Sequence, residues 1–340
     1  MSPNILFVCG SLNQTTMMHK ISRHLPEFDC AFTPFYADGW MKWVAQSGLA
    51  KFSILGGRHR ANTEAYLKNE NLAVDFGGQR GQYDAVVTGT DLLIQGNIRQ
   101  RRLVLVQEGI TEAEDFSYFL VRYLKLPRFV ANTAATGLSD LYDLFCVASP
   151  GYRDLFIRKG ARAEKIVVTG IPNFDHAFQY LNNDFPYHGY VLVATSSIRE
   201  TLKFDDRERF LQQVCRLAGG RQILFKLHPN ENAARATREI RKYFPDEPIY
   251  TEGNVHHMIA NCAILIAQNS SVIYTGLALG KEVHSSLDRA TLQKLAPVQN
   301  GGKSAERIAE VCRQLIQTPL AEINRARLKG KFHQTWEGAL

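Results

Sequence analysis

At 340 residues the chain is longer than one ordinary hydrophobic core supports and suits two domains. Hydrophobic residues make up 45% and charged residues 21%, a globular balance that excludes fibrous, low-complexity and disordered classes. The formal charge of +7, with a pI near 9.0, fits an anionic ligand, an anionic membrane surface or nucleic acid. Cations are spread along the chain, with small groups at Arg99, Arg101 and Arg102 and at Arg235, Arg238, Arg241 and Lys242. No basic-aromatic stripe appears, so nucleic acid ranks last. There is no apolar run of about 18 residues and no basic region ahead of the first apolar run. The expectation is a cytoplasmic protein, with peripheral contact at the inner face of a membrane as a further option suggested by the charge. The six cysteines never take a CxxC spacing and read as free thiols, with no zinc site.

Taken in order, NILFVCG is a buried strand, and the turn Gly10–Gln14 leads into the helical pattern TTMMHKISRHL. That turn, with Gly10, Ser11 and Asn13, is the first strand-to-helix junction and a candidate acceptor-side contact. CAFTPFY is the second strand and WMKWVAQSGL a helix. GGRHRANT reads as a polar turn, in which Arg58 and His59 belong equally to a substrate loop or a solvated one. YDAVVTGTD and RLVLVQEG are strands, and ITEAEDF leads into a helix through Tyr123. Glu108 stands at the mouth of a strand beside Gly109, which lets a ligand approach, and is the candidate general base of this half. The acids that follow suit a helix start equally well. LFCVASPGYRDLFIRKG is strand, loop and helix ending at Gly160. KIVVTGIPNFDHAFQYL is strand and helix, with Gly170, Pro172 and Asn173 in its turn and Asp175 in the first helical turn.

NNDFPYHGY, short and polar, marks the expected boundary between an N-terminal Rossmann-like acceptor domain, 1–183, and a C-terminal nucleotide-donor domain with closing helices, 184–340. The second half repeats strands and helices. In it, KLHPNE follows the strand QILFKL, which Pro229 terminates by removing a backbone donor. QNSSV follows AILIA and opens a helix stopped at Gly280. In a parallel sheet both strings fall on the edge where ligands bind. Ser270, Ser271 and Val272 put unpaired amides at a helix start, suited to a phosphate, with Asn269 or Ser270 as cap. Lys226 and His228, two apart on a strand, add a cation and an imidazole. Pro229, Asn230, Gln268 and Asn269 complete the candidate donor site. Strands alternating with helices throughout give the fold class α/β, two Rossmann-like parallel-sheet domains facing a cleft.

This arrangement resembles the GT-B glycosyltransferase architecture. KLHP and NSS look like the His-Pro and Ser-Ser motifs of bacterial sialyltransferases, polysialyltransferases and Kdo transferases, and QEG at Gln107–Gly109 is similar to their acidic-acidic-Gly motif. KIVVTGIPNFD and KLHP also resemble the CDP-glycerol glycerophosphotransferases. The resemblance implies a cytidine-linked donor of the CMP-sialic acid or CMP-Kdo type and a glycan or lipid-linked acceptor in capsule or lipopolysaccharide synthesis. It implies that Glu108 deprotonates the acceptor, and that His228, Ser270 and Ser271 hold the donor phosphate. Gln107 stands where a second acid is expected, and Glu282 where a proline commonly follows Gly-Lys. No paired-carboxylate metal motif is present, so transfer without a metal or other cofactor is expected. The alternatives are a non-hydrolysing UDP-N-acetylglucosamine 2-epimerase, whose Ser-Gly-Gly turn is NSS here, and a non-catalytic nucleotide- or glycan-binding subunit.

Overall fold

The computed structural model describes residues 3–39, 57–111, 114, 116–124, 126–201, 204–268 and 270–329. The helix expected at WMKWVAQSGL and the first glycine of GGRHRANT lie outside these residues. Two compact units are present, one formed by Met1–Asp175 with Pro297–Leu340 and the other by His176–Ala296.

The first unit is built on β1 (Asn4–Cys9), β2 (Asp29–Pro34), β3 (Ala85–Thr88), β4 (Arg102–Val106), β5 (Leu144–Val147) and β6 (Ile166–Val168). Every pairing is parallel, in the order β2-β1-β3-β4-β5-β6. Apart from the edge strand β2, these strands are short, largely apolar runs because both faces of the sheet are covered; Ile5–Cys9 and Leu103–Val106 are buried. The crossovers carry α1 (Leu12–Ser22), α2 (Gly57–Asn69), α3 (Phe116–Leu124) and α4 (Pro150–Lys159). Ser149 caps α4 by accepting from Tyr152 N, and Gly160 ends it in the left-handed region at φ 105°.

Two local expectations are corrected here. GGRHRANT is not a polar turn from Gly57 onward, since its residues begin α2, where Thr63 is fully buried. The chain after β6 forms no regular helix through Asp175. His176 takes a left-handed conformation, and one 3-10 turn, Ala177–Leu181, follows. Asp175 instead accepts from the backbone N and the Oγ of Ser304, both at 2.8 Å, at the start of the helix Ser304–Gln317.

The second unit holds β7 (Val191–Ala194), β8 (Ile223–Lys226), β9 (Ile249–Tyr250), β10 (Ile264–Ala267) and β11 (Glu282–His284), again all parallel, ordered β11-β10-β7-β8-β9. Its helices are α5 (Arg207–Ala218), α6 (Ala233–Arg241), α7 (Val255–Asn261), α8 (Val272–Ala278) and α9 (Arg289–Leu295). One sheet face packs Val191, Val193, Phe225 and Ile266 under α5 and α6. The other packs Leu192, Leu224 and Leu265 under α7 and α8.

The compact units differ from the division expected at 183/184. The chain passes into the second unit at His176, and α10 (Ser304–Gln317) and α11 (Leu320–Lys329) cluster with the first. The reason is the apolar face of α10, where Ile308, Ala309, Val311, Cys312 and Leu315 are buried, and which packs on α1, β3 and β4. Among the described residues no helix is long and apolar enough to cross a membrane.

Candidate functional site

In the first unit β1 lies between β2 and β3, so successive crossovers leave β1 in opposite directions, which is the switch point where open α/β sheets take ligands. The turn after β1 starts α1. Ser11 caps that helix by accepting from Gln14 N at 3.1 Å. Its hydroxyl also donates to Glu108 Oε1 at 2.7 Å. Asn13 Nδ2 donates to the same oxygen at 3.1 Å, and Gln14 Nε2 donates to Glu108 Oε2 at 2.6 Å. A carboxylate has about four acceptor positions. Three are occupied, leaving one on Oε2 that no described residue fills. Gln14 reaches this oxygen because Gly89, at the end of β3, has no Cβ, which would stand 3.0 Å from the Gln14 side chain.

Three further elements fix that turn. From α2, Thr63 Oγ1 donates to Gly10 O at 3.0 Å and lies 3.1 Å from Thr15 Oγ1. His59 is half-buried in the first turn of α2, and of Arg58 only the backbone is described. From the loop after β6, Asn173 Nδ2 donates to Asn13 O and to Asn13 Oδ1, both at 2.7 Å. Pro172 O accepts from Lys20 Nζ at 3.2 Å. Gly170, at φ +81°, lies where a Cβ would come 2.2 Å from Ser304 Oγ and 3.0 Å from Val298 O. Gly170, Pro172 and Asn173, expected on the donor side, thus belong to the first unit, where Asn173 meets Asn13, Pro172 meets Lys20, and Gly170 serves a close backbone approach to Ser304 and Val298.

Gln107 explains its own departure from the acidic pattern. It is 2% exposed, its Oε1 accepts from Ala148 N at 2.9 Å, and its Nε2 donates to Gly109 O at 2.8 Å. It therefore ties β4 to β5 and sets the backbone carrying Glu108. A carboxylate here keeps the first bond, loses the second and buries a charge. Gln107→Glu is expected to lower stability by about 2–3 kcal/mol at neutral pH, read from urea unfolding, with a smaller loss in acid where the carboxyl is protonated.

In the second unit the switch point lies between β7 and β10. β8 ends at Lys226, and the HPN turn is held from β7: His228 N donates to Thr195 Oγ1 at 3.1 Å, and Thr195 Oγ1 in turn donates to Glu231 Oε2. His228 Nδ1 accepts from Asn230 N at 3.1 Å, while Pro229 and Asn230 are exposed. Lys226 is not free to join His228 at an anion. Its buried Nζ donates to Leu227 O at 2.9 Å and Thr251 O at 3.1 Å, and burial lowers its pKa.

After β10, Gln268 Oε1 accepts from Ser196 Oγ at 3.0 Å and Gln268 Nε2 donates to Asp205 Oδ1 at 2.9 Å. Asn269 lies outside the described residues. Helix α8 opens with Ile273 N donating to Ser270 O and Tyr274 N to Ser271 O, both at 3.1 Å. Ser271 is the cap by position but makes no side-chain cap bond. Its hydroxyl therefore does not satisfy the first turn, and Val272 begins the helix half-buried.

What the sequence reading missed is the network beneath these turns. Arg207 Nη2 donates to Glu231 Oε1 at 2.7 Å and Arg207 Nε to Asp205 Oδ2 at 3.1 Å, with all three side chains buried. It joins the KLHPNE string, through Glu231, to Gln268, through Asp205. The one available signal was Glu231 closing KLHPNE; Arg207 lies too far away in sequence for spacing to pair them. Beside Gln268, at the ends of β10 and β11, is a cavity of about 320 Å³ floored by Phe210 and Ile266 and rimmed by Asp205, Arg209 and Ser286. That is the lower end of the size range of ligand pockets. Among the described residues no group of three His, Cys, Asp or Glu side chains is placed to hold a metal ion.

Two parallel-sheet α/β units define the GT-B class of fold, and comparison with solved structures agrees. A putative UDP-N-acetylglucosamine 2-epimerase from Listeria monocytogenes is similar at a TM-score of 0.57 and 12% identity, covering 94% of this chain and 99% of that one. UDP-GlcNAc 2-epimerase from Neisseria meningitidis, bound to UDP-GlcNAc, is similar at 0.55 and 10%, covering 92% and 100%. The wall teichoic acid polymerase TagF is similar at 0.52 and 10%, covering 93% and 89%. No protein-family model and no curated protein matches the sequence.

Proposed function

We propose that the protein is a metal-independent transferase that moves a glycosyl group from a nucleotide-activated, cytidine-linked donor to a hydroxyl of a glycan or lipid-linked acceptor in surface-polysaccharide synthesis. The observation that carries this reading is Glu108, a carboxylate held by Ser11, Asn13 and Gln14 with one acceptor position open. A hydroxyl bonded there gives its proton to Oε2 as its oxygen bonds the anomeric carbon. The bond from that carbon to the donor phosphate breaks, and the phosphate leaves with the electron pair. In the second unit, Ser270, Ser271 and His228, at the start of α8 and the end of β8, are the groups proposed to bind a nucleotide phosphate. Likeness to TagF, whose structure was also determined after soaking an H444N variant with CDPG, supports a transferase. Peripheral contact with a membrane fits a lipid-linked acceptor.

Thermal stabilisation by CMP, CDP, UDP, GDP and ADP tests the reading, since a ligand bound only by the folded state raises its stability. A shift selective for CMP or CDP, lost in His228→Ala and in Ser270→Ala, is expected. Absence of a shift with every nucleotide removes the proposed phosphate seat. Likeness to UDP-N-acetylglucosamine 2-epimerases over more than nine-tenths of the chain favours a second reading, nucleotide-sugar epimerisation. Preference for UDP, with conversion of a free nucleotide sugar in the absence of acceptor, decides for it. Nucleotide binding without turnover decides for a non-catalytic subunit.

A further inference from the structure

The apolar surface of the first unit is unevenly distributed. Of the 14 large hydrophobic side chains exposed among the described residues, seven fall between residues 116 and 130: Phe116, Phe119, Tyr123, Leu124, Leu126, Phe129 and Val130. Singly exposed apolar residues are ordinary, but a contiguous group of this kind marks an interaction surface. The fold explains which side chains face outward. Helix α3 buries Tyr118 and Val121 against the 3-10 segment Arg128–Ala135, where Ala131, Ala134 and Ala135 complete the cluster. That leaves Phe116 at 77% and Tyr123 at 72% exposed, while Phe119 and Tyr123, one helical turn apart, stack with centroids 6.2 Å apart.

Charge identifies the partner. Residues 116–130 contain Arg122, Lys125 and Arg128 and no Asp or Glu; the carboxylates Glu112, Glu114 and Asp115 precede the helix, with Glu114 near enough to act on Tyr118 and Lys159. Arg122 is anchored where α4 ends, its Nη1 donating to Lys159 O, and Arg158 is exposed beside that point. A two-fold contact between copies of this face would set cations against cations. An anionic lipid surface instead pairs with the arginines while Phe, Tyr and Leu enter the headgroup boundary, the composition of an interfacial helix.

We infer that the α3 face, residues 116–130, is the surface by which this protein docks on an anionic bilayer. The inference rests on the peripheral contact named under the proposed function and deepens it by giving the surface. Helix α3 begins eight residues after Glu108, on the connection that leaves the same end of β4.

The test is flotation of the full chain with vesicles of equimolar phosphatidylglycerol and phosphatidylcholine, and with phosphatidylcholine alone, at low and high salt. Turnover has no part in it, so failure of the docking surface and failure of the transferase reading are distinguishable. Binding to the anionic vesicles at low salt, weakened by high salt, is expected. The variant combining Phe116→Gln, Tyr123→Gln and Leu124→Gln is expected to lower partitioning by about tenfold or more with its thermal midpoint retained, because the replaced side chains are exposed. Should that variant fold poorly, hydrogen exchange of the unmodified chain replaces it, and slowed exchange confined to residues 116–130 on adding vesicles is the supporting result. No flotation at low salt, unchanged partitioning in a folded variant, protection located elsewhere, or a concentration-dependent dimer abolished by the same three substitutions overturns the inference.

Discussion

Arg207→Met is expected to lower the free energy of unfolding by about 3–5 kcal/mol, the range for removing one partner of a buried ion pair. The guanidinium is 5% exposed and serves two carboxylates at once, Glu231 and Asp205, whose side chains are 0% and 1% exposed. Methionine fills much of the volume but leaves Glu231 without its paired cation, while Asp205 keeps Arg199 Nε at 3.6 Å. Burial already raises the Glu231 pKa above its ordinary 4.5, and Arg207 is the largest influence acting against that rise. Without Arg207 the folded-state pKa rises further. A carboxyl whose folded pKa exceeds its unfolded value holds its proton better when folded, so stability falls as pH rises through that interval. The loss should therefore be larger at pH 8 than near pH 4. Glu231→Gln added to Arg207→Met should restore part of the stability, since a neutral amide tolerates the site better. Urea unfolding of both variants across that range is the measurement. A loss under about 1 kcal/mol, or one independent of pH, contradicts the account. Because Glu231 accepts from Thr195, which holds His228 N, and Asp205 accepts from Gln268, the variant should also weaken nucleotide-induced stabilisation.

The inner strands were legible because they are short, largely continuous apolar runs with a polar turn after them, a pattern that a parallel sheet covered on both faces writes directly. NILFVCG and AILIA coincide with β1 and β10 to within a residue, whereas RLVLVQEG runs three residues past the end of β4 at Val106. Helix stops were legible where chemistry marks them, as at Gly160. GGRHRANT was misread because Arg60 and Asn62 are exposed on a helix whose buried contact, Thr63 to Gly10, is to a distant segment. Asp175 was misread for the same kind of reason. An acid after a turn looks like local helix-start chemistry, and nothing nearby announces that it bonds Ser304, 129 residues later.

The candidate site divides in the same way. Ser11, Asn13 and Glu108 were each visible as polar residues at strand ends, yet their convergence depends on strand order, which sequence alone does not state. Gln14 was read only as the last residue of the turn Gly10–Gln14 and given no role, whereas it lies in the first turn of α1, which begins at Leu12. Lys226 was overread because alternation along a strand predicts which face a side chain takes but not which carbonyls lie within its reach. The division between units was overread because α10 is amphipathic on its own terms, and only tertiary packing decides which sheet it covers.

Glu108→Gln is expected to reduce kcat by about 10²–10⁴-fold on the transferase reading, the usual contribution of a positioned general base. The structure indicates why this variant isolates chemistry from folding. Glutamine at 108 keeps one oxygen to accept from Ser11 and Asn13 and turns its amide nitrogen toward Gln14, whose own nitrogen now faces a donor. Gln14 Oε1 is buried without a hydrogen-bond partner, so rotating the Gln14 amide by half a turn replaces the clash with a bond and gives up none. The thermal midpoint and the nucleotide-induced shift should accordingly be retained. A base acts only as the acceptor oxygen attacks, so kcat and kcat/KM should fall together while KM for the donor holds. Glu108→Ala removes the acceptor of three bonds and should cost stability as well as rate, which makes the glutamine variant the informative one. Steady-state transfer from a cytidine-linked donor, with unfolding measured in parallel, distinguishes the cases. Full turnover in a folded Glu108→Gln protein would assign the carboxylate to holding the first turn of α1 and leave the acceptor's proton to another group.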